Sequence, residues 1–320
     1  EAGLSYIPLE LPRISYLDTS FALMDNALSA FAYDSLSNTL WCAMGTSGLL
    51  RYDVSKGFGN VQEKTLVLNK KEQRLDTLKY GMELKFSNTP SIFGLALQPE
   101  KNVLWLATSS GLWVQDETQS AKLKLISGFE KNRVTGVWVG GTPTQIIAEI
   151  SEYKYNDNVV EKDADSESDS LTDENKKDFL PEDEALPTYK DGHLENKLWR
   201  SLDGKNFSEV VFRDTTGKKI KGIYDGADYS VSDVAFIGKQ VFVAVRTVGG
   251  AESGLLKLDS LGAIPWESEE NQWLYGFEAG VVDRNTIILS VNDWILPNGG
   301  IRLAVTTYGN GISVSADSGK

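Results

Sequence analysis

Two stretches of this chain are near copies of one another. Asn38–Asp53 reads Asn-Thr-Leu-Trp-Cys-Ala-Met-Gly-Thr-Ser-Gly-Leu-Leu-Arg-Tyr-Asp, and Asn102–Asp116 reads Asn-Val-Leu-Trp-Leu-Ala-Thr-Ser-Ser-Gly-Leu-Trp-Val-Gln-Asp. Trp41 and Trp105 lie 64 residues apart, and Gly48 and Gly111 lie 63 apart. Self-similarity at such a spacing marks a repeat, and a repeat restricts architecture before any local propensity does. Each copy reads as an apolar strand, a tight Gly-containing turn and a second strand.

Alternating apolar patterns bounded by Gly, Asn, Asp and Ser extend the repeat to five units. The first is Ala30–Asp34, Leu40–Met44, Gly48–Asp53 and a strand near Glu63–Leu68; the second is Ile92–Leu97, Leu104–Thr108, Gly111–Gln115 and Lys122–Ile126. The third runs Val134–Val139, Gln145–Ser151, Lys197–Ser201 and Ser208–Phe212. The fourth runs Val231–Ile237, Val241–Arg246, Gly254–Leu258 and roughly Gln272–Phe277. The fifth runs Thr286–Val291, Ile301–Thr307 and Gly311–Ser315, and lacks a fourth strand. A four-stranded sheet that is apolar on both faces hides them only by stacking on neighbours around an axis. The pattern therefore predicts an all-β propeller of about five four-stranded blades, one domain over residues 1–320. Trp41 and Trp105 are expected between blades. The apolar stretch Leu4–Leu17 is expected to supply the missing strand, the alternative being a piece of a longer chain.

Charge is concentrated in one place. The net charge is −13, and between Glu152 and Glu184 there are 13 acidic and 4 basic residues, so that segment alone carries −9. Residues 153–191 read as an acidic, flexible surface insertion in the third blade, too poor in apolar residues to offset chain entropy. It falls between the second and third strands, whose loops share a face with the loops leading into each first strand. That face is the expected binding face. The acidity and the lack of a Lys/Arg cluster argue against nucleic acid. No apolar run reaches the length of a membrane-spanning helix. The single cysteine, Cys42, sits in an apolar strand, and the single histidine is His193, so no Cys/His zinc site and no Ser/His/Asp triad is expected. No cofactor is expected. Asp163, Asp165, Glu167, Asp169 and Glu174 match a calcium-loop spacing, but Ser168 stands where the template needs Gly, so any calcium affinity there is weak.

Ser201-Leu-Asp203-Gly204-Lys-Asn-Phe207 and Ser315-Ala-Asp317-Ser-Gly319-Lys each follow a strand. Both resemble the Asp box, Ser-x-Asp-x-Gly-x-Thr-Trp, of sialidases and other BNR-repeat propellers. In that family the box is a structural turn, with the carboxylate capping backbone N–H groups and the aromatic tucked between blades. The Leu-Trp-x-Ala repeat also resembles the sensor propellers of bacterial two-component regulators. The arginine cluster of sialidases is not matched, since Pro12-Arg13-Ile14 has the wrong order.

These resemblances, with no compact catalytic constellation, imply a non-catalytic extracellular or periplasmic bacterial module that presents a loop face to a glycan or a protein. Glu1 begins the chain with no leader pattern, and either a removed leader or an expressed piece of the protein accounts for that. The alternative is a glycoside hydrolase with paired carboxylates, the candidates being Asp225, Asp228 and Asp233. A purely structural assembly module is the third reading. Tyr224 and Tyr229, beside those acids, and Trp294, in a loop Asn292–Gly300, are candidate ligand-stacking residues.

Overall fold

The structure, a computed structural model, describes residues 4–6, 15–17, 28–45, 48–56, 64–77, 90–98, 100–116, 119–155, 192–214, 216–219, 229–247, 253–260, 262–265, 276–277, 280–281, 288–295, 301–307 and 311–315. A hairpin comes first, β1 (Leu4–Tyr6) with β2 (Ser15–Leu17). The first meander is β3 (Ala30–Asp34), β4 (Thr39–Ala43), β5 (Leu49–Asp53) and β6 (Lys64–Asn69). Next, β7 (Arg74–Thr77) pairs with β6 and bridges to the second meander, so the two sheets share an edge. That second meander is β8 (Ile92–Gln98), β9 (Val103–Thr108), β10 (Gly111–Asp116) and β11 (Gln119–Leu125). The third is β12 (Arg133–Gly140), β13 (Gln145–Tyr155), β14 (Gly192–Ser201) and β15 (Ser208–Glu209). The fourth is β16 (Tyr229–Ile237), β17 (Gln240–Thr247), β18 (Ser253–Leu258) and β19 (Ala263–Pro265). A two-stranded piece, β20 (Gly276–Phe277) with β21 (Gly280–Val281), precedes the fifth, β22 (Ile288–Ile295), β23 (Ile301–Thr307) and β24 (Gly311–Ser315). The chain is a β-propeller, and β3, β8, β12, β16 and β22 are its inner strands.

The two sequence copies take the same backbone. Asn38 and Asn102 both turn from first to second strand with φ near +52°, at 53° and 52°. Gly48 and Gly111 open the third strands at φ 104° and 109°. Second strands are buried on both faces, so they carry the apolar residues that face neighbouring sheets. Trp41 packs with Leu95, Leu104 and Trp113 between the first and second sheets. Trp105 packs with Phe129, Val137 and Ile146 between the second and third. Ile147, Leu198, Val231 and Val243 fill the space between the third and fourth. Cys42, Leu50 and Tyr52 form a further cluster on the other face of the first sheet. Burial pushes the Cys42 thiol up to about 12, so it stays a neutral core residue.

Two expectations need correction. The outer strand of the fourth blade is Ala263–Pro265, not Gln272–Phe277. Asp259 accepts from the Gly262 N–H at 2.8 Å, and Gly262 sits at φ 145°, closing a tight turn. Pro265 discourages a strand reading, yet an outer edge strand does not need its missing N–H. The expected closure of the fifth blade by Leu4–Leu17 lies largely outside the described residues; its described ends, β1 and β2, pair with each other. Trp294 lies in β22, paired with Arg302, and not in a loop. The acidic insertion does leave between second and third strands, but its ends are strand: β13 and β14 stay in register as far as Tyr155 opposite Gly192. His193 therefore belongs to this ribbon, opposite Lys154.

The repeat turn is testable at one atom. A Cβ on Gly111 would lie 2.6 Å from Leu125 Cδ1 and 2.8 Å from the Phe129 carbonyl oxygen, at φ 109°. On Gly128, at φ 91°, it would meet nothing within 4 Å. Gly128→Ala is expected to cost about 1 kcal/mol for the backbone alone, and Gly111→Ala about 2–4 kcal/mol, because packing strain adds to it. Urea unfolding of the two variants checks the order.

Candidate functional site

The inner strands converge on one cavity. It has a volume of about 680 Å³ and is lined from all five blades: Ala30 and Phe31, Phe93 and Leu95, Thr135 and Trp138, Val231 to Asp233, and Leu289 with Ser290. These residues lie at the starts of the inner strands, the end toward which the β13–β14 ribbon projects. A smaller space of about 290 Å³ shares Phe31, Leu95, Val137 and Trp138 with it and is lined further along by Tyr33, Leu97, Val139 and Phe236. Together they trace the shaft of the propeller.

One backbone device shapes the mouth. The ladder between first and second strands slips between Ile92 and Gly94, Val134 and Gly136, Val231 and Asp233, and Ile288 and Ser290. Four blades thus carry a β-bulge at the same place. The residues left between the paired positions are Phe93, Thr135, Ser232 and Leu289, and all four line the cavity. A bulge adds a residue to one strand and re-aims a side chain. In the first blade β3 pairs without a slip, and Phe31 faces the same space.

Interrupted ladders leave backbone N–H groups to be satisfied. Glu149, on β13, accepts from the Val231 N–H of the fourth blade at 2.7 Å and from the Thr135 hydroxyl at 2.7 Å, one on each oxygen. It is 4% exposed. Burial pushes its carboxyl from 4.5 up to about 7, against the pull of Val231, Thr135 and the charge of Arg246. Asp233 repeats the motif one blade on, accepting from the Val234 N–H at 2.9 Å and from the Val291 N–H of the fifth blade at 3.1 Å. Burial raises its pKa too, while those two N–H groups and the Trp138 side chain lower it. A Cβ on Gly136 would come within 2.2 Å of the Trp138 ring, so glycine there makes room for the indole that bonds Asp233. The two acids tie the third blade to the fourth and the fourth to the fifth.

At the ribbon's base Glu152 gathers Lys197 at 3.0 Å and Lys154 at 3.1 Å, with Asn132 at 3.2 Å. Nearby, the Arg133 guanidinium stacks 4.6 Å from the centre of the Phe93 ring.

The sequence-predicted residues are spread widely. Asp233 lies on the cavity wall. Tyr229 begins β16 but is only 2% exposed, its ring edge-on to Phe212 at 4.9 Å in the core between blades, so it offers a ligand no face. Trp294 is five residues beyond Leu289 along β22, about 17 Å from the mouth. Tyr224, Asp225 and Asp228 lie outside the described residues, as do Asp317, Gly319 and the acidic run 163–174. Among the described residues no three His, Cys, Asp or Glu side chains could hold a metal ion. Ser315 ends β24.

Ser201 to Phe207 forms a tight turn at the opposite end of the third blade. Asp203 Oδ1 accepts from the N–H groups of Lys205 and Asn206, both at 2.8 Å, and Ser201 accepts from Gly204 N at 2.9 Å. These bonds hold the Asp203 carboxyl well below its usual range. Gly204 takes φ 74° against Trp105, and Phe207 packs on Trp105 and Phe129 at 6.3 and 5.0 Å. Asp203 is a turn cap, far from the shaft mouth.

Sequence reasoning missed Glu149. It stands in an apolar run, Gln145-Ile-Ile-Ala-Glu149-Ile150, where a lone acid was the available signal.

No family model matches the chain, and no curated protein matches it in sequence. Solved structures do match, at low identity. Hydrazine synthase of Kuenenia stuttgartiensis is 12% identical over 92% of this chain and 60% of that one, with a TM-score of 0.45. The GH74 enzyme of Niastella koreensis is 10% identical over 96% of this chain and 40% of that one, TM-score 0.45. A gluconolactonase of Xanthomonas campestris is 12% identical over 90% and 75%, TM-score 0.42. The chain spans 60% and 40% of the first two chains, and likenesses this loose carry no chemistry across. Among the described residues no helix is long and apolar enough to cross a membrane.

Glu149 sets a pH dependence. Its folded pKa, about 7, lies above the ordinary 4.5, so between those values the folded state holds more proton than the unfolded one. Stability therefore falls as pH rises through that window, by on the order of 2–3 kcal/mol. Glu149→Gln mimics the neutral acid, its carbonyl accepting from Val231 and its amide donating to Thr135. Thermal melts from pH 5 to 8 are expected to show a falling midpoint in the parent and a flattened profile in Glu149→Gln. Equal slopes in both would remove Glu149 as the cause.

Proposed function

We propose that this propeller is a non-catalytic binding module, working outside the cell or in a periplasm, whose shaft-mouth face receives a glycan or a protein. One observation carries the reading. The two carboxylates described on the cavity wall, Glu149 and Asp233, already accept hydrogen bonds on both oxygens, one bond of each from backbone of the next blade and one from its own blade. A general acid or base must be free to meet a substrate proton. These acids are bound into the scaffold, while Phe31 and Leu289 stand 60% and 47% exposed beside them. The β13–β14 ribbon rises from the same end and supplies a second, polar surface.

A glycoside hydrolase is the second reading, and the raised pKa of Asp233 on a cavity wall favours it. Asp225 or Asp228 would then have to supply its partner. The two readings part in one experiment. The purified chain is screened on a glycan array and a displayed peptide library, and each hit is incubated and analysed for cleavage. Saturable binding without product is expected. Cleavage that disappears in Asp233→Asn while binding persists would make the chain an enzyme.

A further inference from the structure

We propose that the shaft itself is a site for a small, neutral, largely apolar molecule, beyond whatever glycan or protein the outer face receives. Most polar groups of the wall are already engaged within the scaffold. The Ser29 hydroxyl donates to the Ile92 carbonyl at 2.8 Å. Thr135 donates to Glu149, and Ser290 shares a 2.6 Å bond with Thr306. Both acids accept from neighbouring blades. A sugar needs many hydrogen bonds, and binding one here would mean breaking those that hold blades together.

What the wall leaves to a ligand is apolar. Phe31, Phe93, Leu95, Trp138 and Leu289 line the cavity from four blades. One neutral polar group stands among them, the Ser232 hydroxyl, which has no hydrogen-bond partner among the described residues. It sits on a bulge, aimed at the shaft. The volume, about 680 Å³, lies within the roughly 300–1,000 Å³ of small-molecule sites, which join an apolar lining to a few placed polar groups. Charge narrows the class further. Glu149 and Asp233 lie in the wall, and although Glu149 is only partly ionised at neutral pH, the negative charge the pair carries disfavours a bound anion. The fitting ligand is an aromatic or aliphatic molecule with no charge and one hydrogen-bonding group near Ser232.

The bulges give the site its economy of design. Four blades present one side chain each from the same backbone slip, so the ring Phe93, Thr135, Ser232 and Leu289 sets shape without disturbing the ladders outside it. Changes at Ser232 and Leu289 alter the socket more than the fold.

The test uses N-phenyl-1-naphthylamine, a neutral fluorophore, and its anionic relative anilinonaphthalene sulfonate. The whole chain is titrated with each at neutral pH. Saturable fluorescence enhancement with one neutral probe per chain is expected, with the anionic probe at least tenfold weaker. Ser232→Phe, which fills the socket, and Leu289→Asp, which charges its rim, are each expected to weaken the neutral probe tenfold or more while keeping the parent's melting temperature within a few degrees. Absence of saturable binding, equal affinity for the two probes, or unchanged affinity in both folded variants would overturn the proposal. A glycan or peptide hit on the outer face that persists in Ser232→Phe leaves the binding-module reading standing while this one is judged on the probe alone.

Discussion

A sheet that is apolar on both faces has no stable existence alone, and this constraint organises the whole molecule. Trp105 is buried against the third sheet, and Trp41 and Trp113 are buried between the first two. Each large aromatic removes about 150–250 Å² from water, a gross gain of roughly 4–6 kcal/mol. No local hydrogen bond matches that, so neighbouring sheets are driven together until their inner strands crowd. The crowding shows at Gly94, where a Cβ would lie 3.2 Å from Val137 N, and at Gly140, where it would lie 2.6 Å from the Phe236 ring. The shaft is what remains when the inner strands have come as close as these glycines allow.

That drive is also why so much of the fold could be read in advance. Interblade residues fall on second strands at a fixed offset from a turn, and the turns need particular backbones. Asn38 and Asn102, with Gly48 and Gly111, carry both signals in short, contiguous text. Where a feature depends on residues far apart in the chain, the text is silent. Glu149 meets Val231 across 82 residues, and Asp233 meets Val291 across 58. A bulge leaves no composition mark either: Phe93, Thr135, Ser232 and Leu289 share no chemistry, only a position in a ladder. Asn292, Asp293 and Pro297 around Trp294 spell a loop in sequence, and β22 runs through the first two. Tyr229 shows the converse. An aromatic next to acids and a Gly suggests a surface, but its ring turns inward to Phe212.

Glu149 and Asp233 show how a raised pKa can mislead. Moving the Glu149 carboxyl from 4.5 to about 7 corresponds to about 3 kcal/mol against its charged form. Leaving the Val231 N–H buried without an acceptor would cost about 1–3 kcal/mol. The two are of similar size, so the carboxyl is an affordable solution to a structural problem, and its perturbed titration needs no catalytic explanation. Asp233 likewise has its pKa raised by burial while it serves Val291 and Trp138 as an acceptor. Geometry separates these acids from catalytic ones: both oxygens of each are occupied by donors belonging to the scaffold.

The two halves of the molecule's logic then fit. The bulges open gaps in the ladders, and in the fourth and fifth blades an acid from the adjoining blade accepts from the backbone beside the gap. Because the repair is made by backbone N–H groups and two carboxylates, the bulged side chains carry no share of it, with Thr135 the exception. Ser232 and Leu289 are free of structural duty at the point where the inner strands meet, while Phe93 also carries the stacked Arg133. Residues relieved in this way are the ones through which a propeller can change its ligand while keeping its fold, and they stand at the mouth of the shaft for the same reason that the shaft exists.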